Sequence, residues 1–306
     1  MRNVSIKEIT DFLQERDIEF SVEGDKDVSI QGFCSLKNPQ NNCVTWVKKV
    51  DNELLPSFIE MYSGIIISPS TLSDIPNNKN VVIVTATPKK CFFEIVEKFY
   101  GNNIERGVAK TAIVEGKIGE NCCIGERSYI GKEVSIGNNT IIEPGVSILN
   151  KVTIGDNCII HSGAVIGGDG FGYYFDDDDT IHKVHHYGGV YIGNDVEVGA
   201  NTCIDRGTID DTTIGDNCKI DNLVHIAHNV VMEQSVAISA NAIICGSAYL
   251  AKGVYVAPGG IVKNQVRVEG RGFVGIGSVV LNKVSEESVV VGVPAKEIRK
   301  YKKGDK

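Results

Sequence analysis

From Ile118 to Val280 an aliphatic residue returns every six positions, and this beat limits the fold more than any other feature of the chain. The first run is unbroken: Ile118, Ile124, Ile130, Ile136, Ile142, Ile148, Ile154, Ile160, Ile166. After an interruption it resumes at Ile192, Val198 and Ile204, takes two five-residue steps through Ile209 to Ile214, and continues by sixes to Val280. A period of six fits neither the 3.6 of a helix nor the alternation of a single strand, so the unit is a short strand plus a turn, repeated and stacked. Such a rod buries one aliphatic side chain per face and pairs its backbone between successive coils.

Glycine follows the aliphatic residue at Ile118-Gly119, Ile124-Gly125, Ile130-Gly131, Ile136-Gly137, Ile154-Gly155, Ile192-Gly193 and Ile214-Gly215, often with Asn or Asp next. These residues tolerate the tight backbone of a turn. The pattern resembles the left-handed parallel β-helix of the hexapeptide acyltransferases, and the handedness follows from that resemblance. The expected fold is mainly β, a left-handed parallel β-helix of hexapeptide repeats with a small N-terminal α/β domain.

Length and charge narrow the function. At 306 residues the chain has room for two domains and a large core. A net charge of −8 disfavours a nucleic-acid-binding surface. No apolar run reaches the length of a membrane span, and MRNVSIKEITDFLQERD lacks an apolar signal core, so a cytoplasmic protein is expected. The nine cysteines include no C-x-x-C pair and read as reduced structural thiols, with Cys122, Cys158, Cys203 and Cys218 expected at small inward positions of the rod.

Residues 1–103 read as the α/β domain. Ser5 and Glu8 have capping-box spacing before an apolar stripe of Ile6, Ile9, Phe12 and Leu13, and Thr87-Pro88 opens a second helix that runs to Gly101. Strands are expected at 28–31, 43–47, 64–68 and 81–85, and a further helix at 52–62. Trp46 is the only tryptophan. It reads either as a half-buried strand aromatic or as a platform for a base, with Lys48 and Lys49 near phosphates. The rod is expected over 104–285, with a loop at 168–189 and a short basic tail at 286–306.

That loop opens with Gly167-Gly168-Asp169-Gly170-Phe171-Gly172-Tyr173 and closes at Gly188-Gly189. Its glycines lack the strand-turn-helix setting of a dinucleotide fingerprint. A long loop leaving a regular rod suggests function, which places Asp169, Phe171, Tyr173 and His186 near a site. The 176–179 aspartates with His182, His185 and His186 offer metal-ligating side chains, though a solvated tip is the simpler reading.

The strongest candidate for chemistry is Asp221-Asn222-Leu223-Val224-His225-Ile226-Ala227-His228-Asn229. Val224 and Ile226 point inward on the beat, leaving His225 and His228 off the core. Histidine takes a proton near neutral pH, and a carboxylate on its other ring nitrogen would fix the tautomer. Asp221, seven residues back, is the nearest candidate; coil geometry decides whether the two meet.

Here the resemblance becomes specific. Ile204-Asp205-Arg206-Gly207, Asp210-Asp211-Thr212-Thr213-Ile214-Gly215, Asp221-Asn222 and Ile226-Ala227-His228-Asn229-Val230 resemble the UDP-3-O-(3-hydroxyacyl)glucosamine N-acyltransferases of lipid A biosynthesis. The resemblance implies a uracil-binding N-terminal domain with Trp46 at the matching place, and a homotrimer with active sites between rods. It places His228 on the catalytic base and Asp221 on its partner, with His225, Asn229 and Asn264 toward substrate. It further implies direct transfer from an acyl carrier protein or coenzyme A thioester, with neither a covalent enzyme intermediate nor a metal.

Two features depart from the family pattern. Asn264 stands where the family has a second active-site histidine, and the chain ends in Val291-Gly292-Val293-Pro294-Ala295-Lys296 and a basic segment, similar to coenzyme-A-dependent sugar acetyltransferases. The alternative is therefore a coenzyme-A-dependent N-acyltransferase for surface polysaccharide. More remote are a β-helix carbonic anhydrase using His161, His225 and His228, and a non-catalytic scaffold.

Overall fold

The computed structural model describes residues 2–24, 27–49, 62–72, 80–101, 104–149 and 151–302. Contacts divide the chain into two compact units, Met1–Asn103 and Ile104–Lys306.

In the first unit, helix α1 (Ile6–Glu15) starts where Ser5 accepts from the Glu8 N–H and the Glu8 carboxylate accepts from the Ser5 N–H, the expected capping box. Helix α2 (Pro88–Tyr100) follows Thr87, whose side chain makes no cap hydrogen bond; proline at its first position starts the helix. Ile9 and Leu13 of α1 and Cys91, Phe92 and Ile95 of α2 pack with Val44, Ile65, Ile67, Val81 and Ile83 of a five-stranded sheet. Its order is Ser21–Gly24, Asn80–Val84, Gly64–Ser68, Cys43–Trp46, Gly32–Phe33, with the first pairing antiparallel and the rest parallel. The helix expected at 52–62 lies outside the described residues, Tyr62 apart.

The second unit is a left-handed parallel β-helix. Its short strands stack into three sheets of 8, 9 and 11 strands, each strand pairing in register with the one a coil later: Ile148 with Ile166, Ile166 with Ile204, Ile204 with Ile226 and Ile226 with Ile244. The beat residues form one continuous core in which Ile124, Ile142, Ile160, Val198, Ile226, Ile244 and Val262 are all buried. Burying each such side chain contributes on the order of 2 kcal/mol.

One corner shows why glycine follows the beat. A Cβ on Gly119, Gly137 or Gly155 would fall within 2.7 Å of backbone atoms of Gly137, Gly155 and Gly193, the matching residues of the next coil. Beside this glycine stack a polar ladder forms. The Glu120 N–H donates to Asn138 Oδ1, that of Asn138 to Asp156, that of Asp156 to Asn194 and that of Asn194 to Asp216, at 2.6–2.8 Å. The Gly-Asn/Asp pairs thus remove steric bulk and satisfy exposed backbone donors in one motif.

Three expectations fail locally. Ile209 is 81% exposed and does not belong to the core. Around it the backbone leaves the coil to receive the returning loop: the N–H groups of Tyr187 and Gly188 donate to the Thr208 and Gly207 carbonyls, and Thr212 N–H donates to Gly189. Cys203, next to Ile204, faces outward in register with Val165 and His225, whereas Cys122, Cys158 and Cys218 are buried. Finally, the segment expected as a tail makes strands: Ser288–Val291 pairs with Phe273–Val274 and Lys296–Lys300 folds back on it, because Val290, in register with Val274, continues the apolar core face. Among the described residues no helix is long and apolar enough to cross a membrane.

Candidate active site

His228 follows the two-residue strand His225–Ile226 and occupies a corner of the coil. The next residue, Asn229, has φ +60°, a left-handed turn that Asn tolerates well. Its side-chain amide is oriented by its bonds: Nδ2 donates to the Asp210 carbonyl (2.9 Å), while Oδ1 accepts from the Thr208 N–H (3.1 Å) and hydroxyl (2.8 Å). Oδ1 also lies 3.1 Å from His228 Nδ1. Since Oδ1 can only accept, Nδ1 must carry the hydrogen, and Nε2 is left with its lone pair. That is the tautomer of a base.

Nε2 rests over Gly246. A Cβ there would meet His228 Nε2 and Cε1 at 2.8 Å, so the glycine holds open the space for the ring. Gly246 N–H has no acceptor among the described residues. On the other side Gly170 of the loop is equally confined, its Cβ position lying 2.8 Å from His228 Cδ2 and 3.1 Å from His186 Nε2.

His186 is brought to the site by the loop. Its ring meets that of His228 edge to face with centroids 5.4 Å apart, and it is 5% exposed. Its Nδ1 donates to the Val184 carbonyl at 3.0 Å, and its Nε2 is buried without a partner. Asp169 ends the strand Val165–Asp169 and pairs with Lys183 at 2.8 Å, which holds its carboxyl below the ordinary aspartate range. Phe171 (87% exposed) and Tyr173 touch each other with ring centroids 4.8 Å apart and face solvent. The loop's return is fastened by Arg206 to the Gly188 carbonyl, Lys151 to the Tyr187 carbonyl and Gly189 N–H to Asp211.

Asp205 is the carboxylate of this corner. Its side chain is 14% exposed, and His225 Nε2 stands 3.6 Å from Oδ2. Burial pushes its carboxyl up from the ordinary aspartate range, while the facing imidazoles of His225, His228 and His186 oppose the shift.

Asp221 does not meet His228 within the chain. Its Oδ1 accepts from the Asn222 N–H (2.7 Å) and Oδ2 from the Ala240 N–H (3.2 Å), so the carboxylate ties coils together on another face. There it lines a hollow of about 530 Å³ with Glu143, His161 and Glu197. The expected Asp221–His228 pair is thus replaced by Asn229 on Nδ1. Asn229, expected toward substrate, instead spends its amide on the base and the Gly207–Asp210 turn.

Asn264 is exposed one coil beyond Gly246, next to Gln265, whose N–H donates to the Gly246 carbonyl. Trp46, Lys48 and Lys49 belong to the first unit, where Trp46 is half-buried against Phe92 (6.4 Å between centroids) and the two lysines are exposed. His161 is engaged on both nitrogens by Glu143 (3.1 Å) and Glu197 (2.9 Å). Among the described residues no three His, Cys, Asp or Glu side chains gather in a group able to hold a metal ion.

Asp205, Gly170 and Gly246 were not singled out from the sequence. The signal for Gly246 existed: it stands two past Ile244 as His228 stands two past Ile226, and the register of Ile226 with Ile244 stacks the two positions.

Comparison with known proteins agrees with this architecture. Residues 133–168 match the family model for bacterial transferase hexapeptide (six repeats), and 189–226 that for the hexapeptide repeat of succinyl-transferase. The UDP-N-acetylglucosamine O-acyltransferase of Moraxella catarrhalis superposes with a TM-score of 0.59 at 24% identity, over 64% of this chain and 76% of that one. At that identity the likeness concerns the fold. The second unit is therefore a hexapeptide-repeat β-helix.

Sequence relatives narrow the class. The UDP-3-O-acylglucosamine N-acyltransferase of Dechloromonas aromatica is 47% identical over 187 residues, 55% of this chain and 52% of that protein. That of Delftia acidovorans is 39% identical over 143 residues, 46% and 42% respectively. A Legionella pneumophila enzyme of the same name is 55% identical over 86 residues, 28% and 25%. The chain is thus similar to UDP-3-O-acylglucosamine N-acyltransferases over a stretch that spans at most about half of each of these three relatives.

Proposed function

We propose that this protein is an N-acyltransferase that moves an acyl group from a carrier thioester to the amine of a UDP-linked, 3-O-acylated glucosamine. The observation that carries this reading is the His228 imidazole, held by Asn229 in the tautomer that leaves Nε2 free over a glycine-lined opening, in a chain whose relatives bear that name.

The amine nitrogen attacks the thioester carbonyl as Nε2 removes one of its protons; the N–C bond forms and the carbonyl oxygen becomes an oxyanion. The free Gly246 N–H is the donor assigned to that oxyanion. Collapse breaks the C–S bond, and the proton on Nε2 passes to the departing thiolate, returning His228 to its starting state. No covalent enzyme intermediate enters this sequence.

Trp46, with Lys48 and Lys49, is assigned to the uracil and the phosphates, which suits a flat ring beside exposed cations. A cytoplasmic homotrimer is the expected state. The outward ladder Ile113, Tyr129, Ser147, Val165, Cys203, His225, Ile243 and Ile261, in register and mostly apolar, supports a second copy as its cover.

Acyl carrier protein and coenzyme A thioesters of several lengths, offered with UDP-3-O-acylglucosamine and other nucleotide amino sugars and read by mass spectrometry, test the assignment. Transfer of a 3-hydroxyacyl group to the UDP sugar is expected. Acetyl transfer from coenzyme A alone would replace it with the surface-polysaccharide alternative.

A further inference from the structure

We propose that Asp205 is the positioning carboxylate of the site, a half-buried negative charge that stabilises the positive charge His228 acquires when it takes the substrate proton. The inference rests on the acyl-transfer reading above and adds a residue to it.

Other carboxylates of the loop and the neighbouring coils are spoken for. Asp169 pairs with Lys183, Asp211 accepts from Gly189 N–H, and Asp221 accepts from two backbone N–H groups. Asp205 differs. Among the described residues it accepts no hydrogen bond, the side chain standing closest to it in an ion-pair geometry is His225 at 3.6 Å, and it is nonetheless only 14% exposed. A carboxylate largely withdrawn from water and left in this state is costly unless positive charge comes to it.

The groups that face Asp205 are mostly imidazoles: His225 and His228 from the following coil and His186 from the loop, with Asp169 on the preceding strand as the one like charge. Register explains the gathering. Asp205 pairs with Gly168 below, and Cys203 and Ile204 pair with His225 and Ile226 above, so the strand's C-terminal end is enclosed between the loop's exit and the His228 corner. Asp169 is neutralised by Lys183, which leaves Asp205 as the uncompensated charge of the cluster.

In the resting site the rings of His225, His228 and His186 face this charge. When Nε2 gains the amine proton, the imidazolium forms beside a carboxylate in a medium of low dielectric, where opposite charges attract far more than in water. Asp205 touches neither substrate nor the reacting atoms and acts through His228, as the partner carboxylate of a histidine base does elsewhere, but without sharing a hydrogen bond.

The test compares wild type, Asp205→Asn and Asp205→Glu by kcat, KM and the pH profile of kcat/KM, with circular dichroism to verify the fold. Asp205→Asn is expected to lower kcat by about 30-fold with KM within about twofold, and to move the acidic limb of the profile down by about one pH unit, since loss of a facing negative charge disfavours the imidazolium. Asp205→Glu keeps the charge and is expected to retain the wild-type limb.

A profile for Asp205→Asn that superimposes on wild type, or a change in KM alone, overturns the inference. A shifted limb in Asp205→Glu overturns it independently, even if the Asn variant does not fold. Failure of the underlying reading looks different: wild type then transfers no acyl group to any nucleotide amino sugar, or His228→Ala is as active as wild type.

Discussion

Alanine at Gly246 would place a methyl group 2.8 Å from both Nε2 and Cε1 of His228. Carbon and nitrogen in ordinary contact stand about 3.5 Å apart, so the ring must retreat by roughly 0.7 Å. It cannot do so freely, because Nδ1 is bonded to Asn229 and the far face is closed by Gly170 and His186. The imidazole must therefore turn, and the Nδ1–Asn229 bond that sets its tautomer lengthens or breaks. A displacement of this size at the reacting nitrogen costs on the order of 10²-fold in rate.

The fold should tolerate the change. Gly246 does not have a left-handed backbone, so alanine adds no strain there, and its smaller unfolded-state entropy offsets part of the crowding. The net effect on stability is expected to stay within about 1 kcal/mol. Gly270→Ala serves as the control, since its Cβ would meet nothing nearer than 3.4 Å. Thioester consumption, followed by release of free thiol, gives the rate, and thermal denaturation gives the stability. Full activity in Gly246→Ala would refute the placement of Nε2 over this glycine, and equal losses in both variants would refute the steric argument.

Other consequences are simpler to measure. His228→Ala should lower kcat by about 10³-fold in the same thiol assay while the melting temperature stays within a few degrees, because the ring is off the core. Ile226→Ala should cost about 3 kcal/mol in denaturant unfolding of the second unit and Ile209→Ala almost nothing, the first being fully buried and the second exposed. The Glu143–His161–Glu197 link should make stability depend on pH. Burial opposes the His161 charge, but the Glu197 and Glu143 carboxylates outweigh it and raise its titration, while burial of Glu143 is outweighed by the Ser162 N–H and His161, which lower its own. The histidine contribution is complete below about pH 6 and fades as pH rises through its raised value; the Glu143 contribution is complete above about pH 5 and fades as pH falls through its lowered one. Melting curves of wild type and His161→Gln should therefore differ most between about pH 5 and 6 and converge toward pH 9.

Much of the architecture was legible in the chain because a β-helix is built locally. Each inward residue is dictated by the six-residue beat, each tight corner by Gly with Asn or Asp, and successive coils repeat the same contacts, so periodicity alone yields the core from Ile124 to Val280. The capping box of α1 was legible for the same reason, being a contact across three residues. His228 could be found as an off-beat polar residue.

What the tertiary structure decided is everything that depends on which residues of different coils share a corner. Asn229 rather than Asp221 holds the base, because a left-handed turn and the Asp210 carbonyl orient its amide, whereas Asp221 is consumed by two backbone donors on another face. Ile209 leaves the core because the loop's return needs the Gly207–Asp211 backbone as its anchor. His186 reaches His228 across a loop whose path no periodicity encodes, and Asp205 is withdrawn from solvent only when that loop and the next coil close around it. Sequence thus determined the rod and the side chains it displays, and the stacking of one coil on another decided which of them meet.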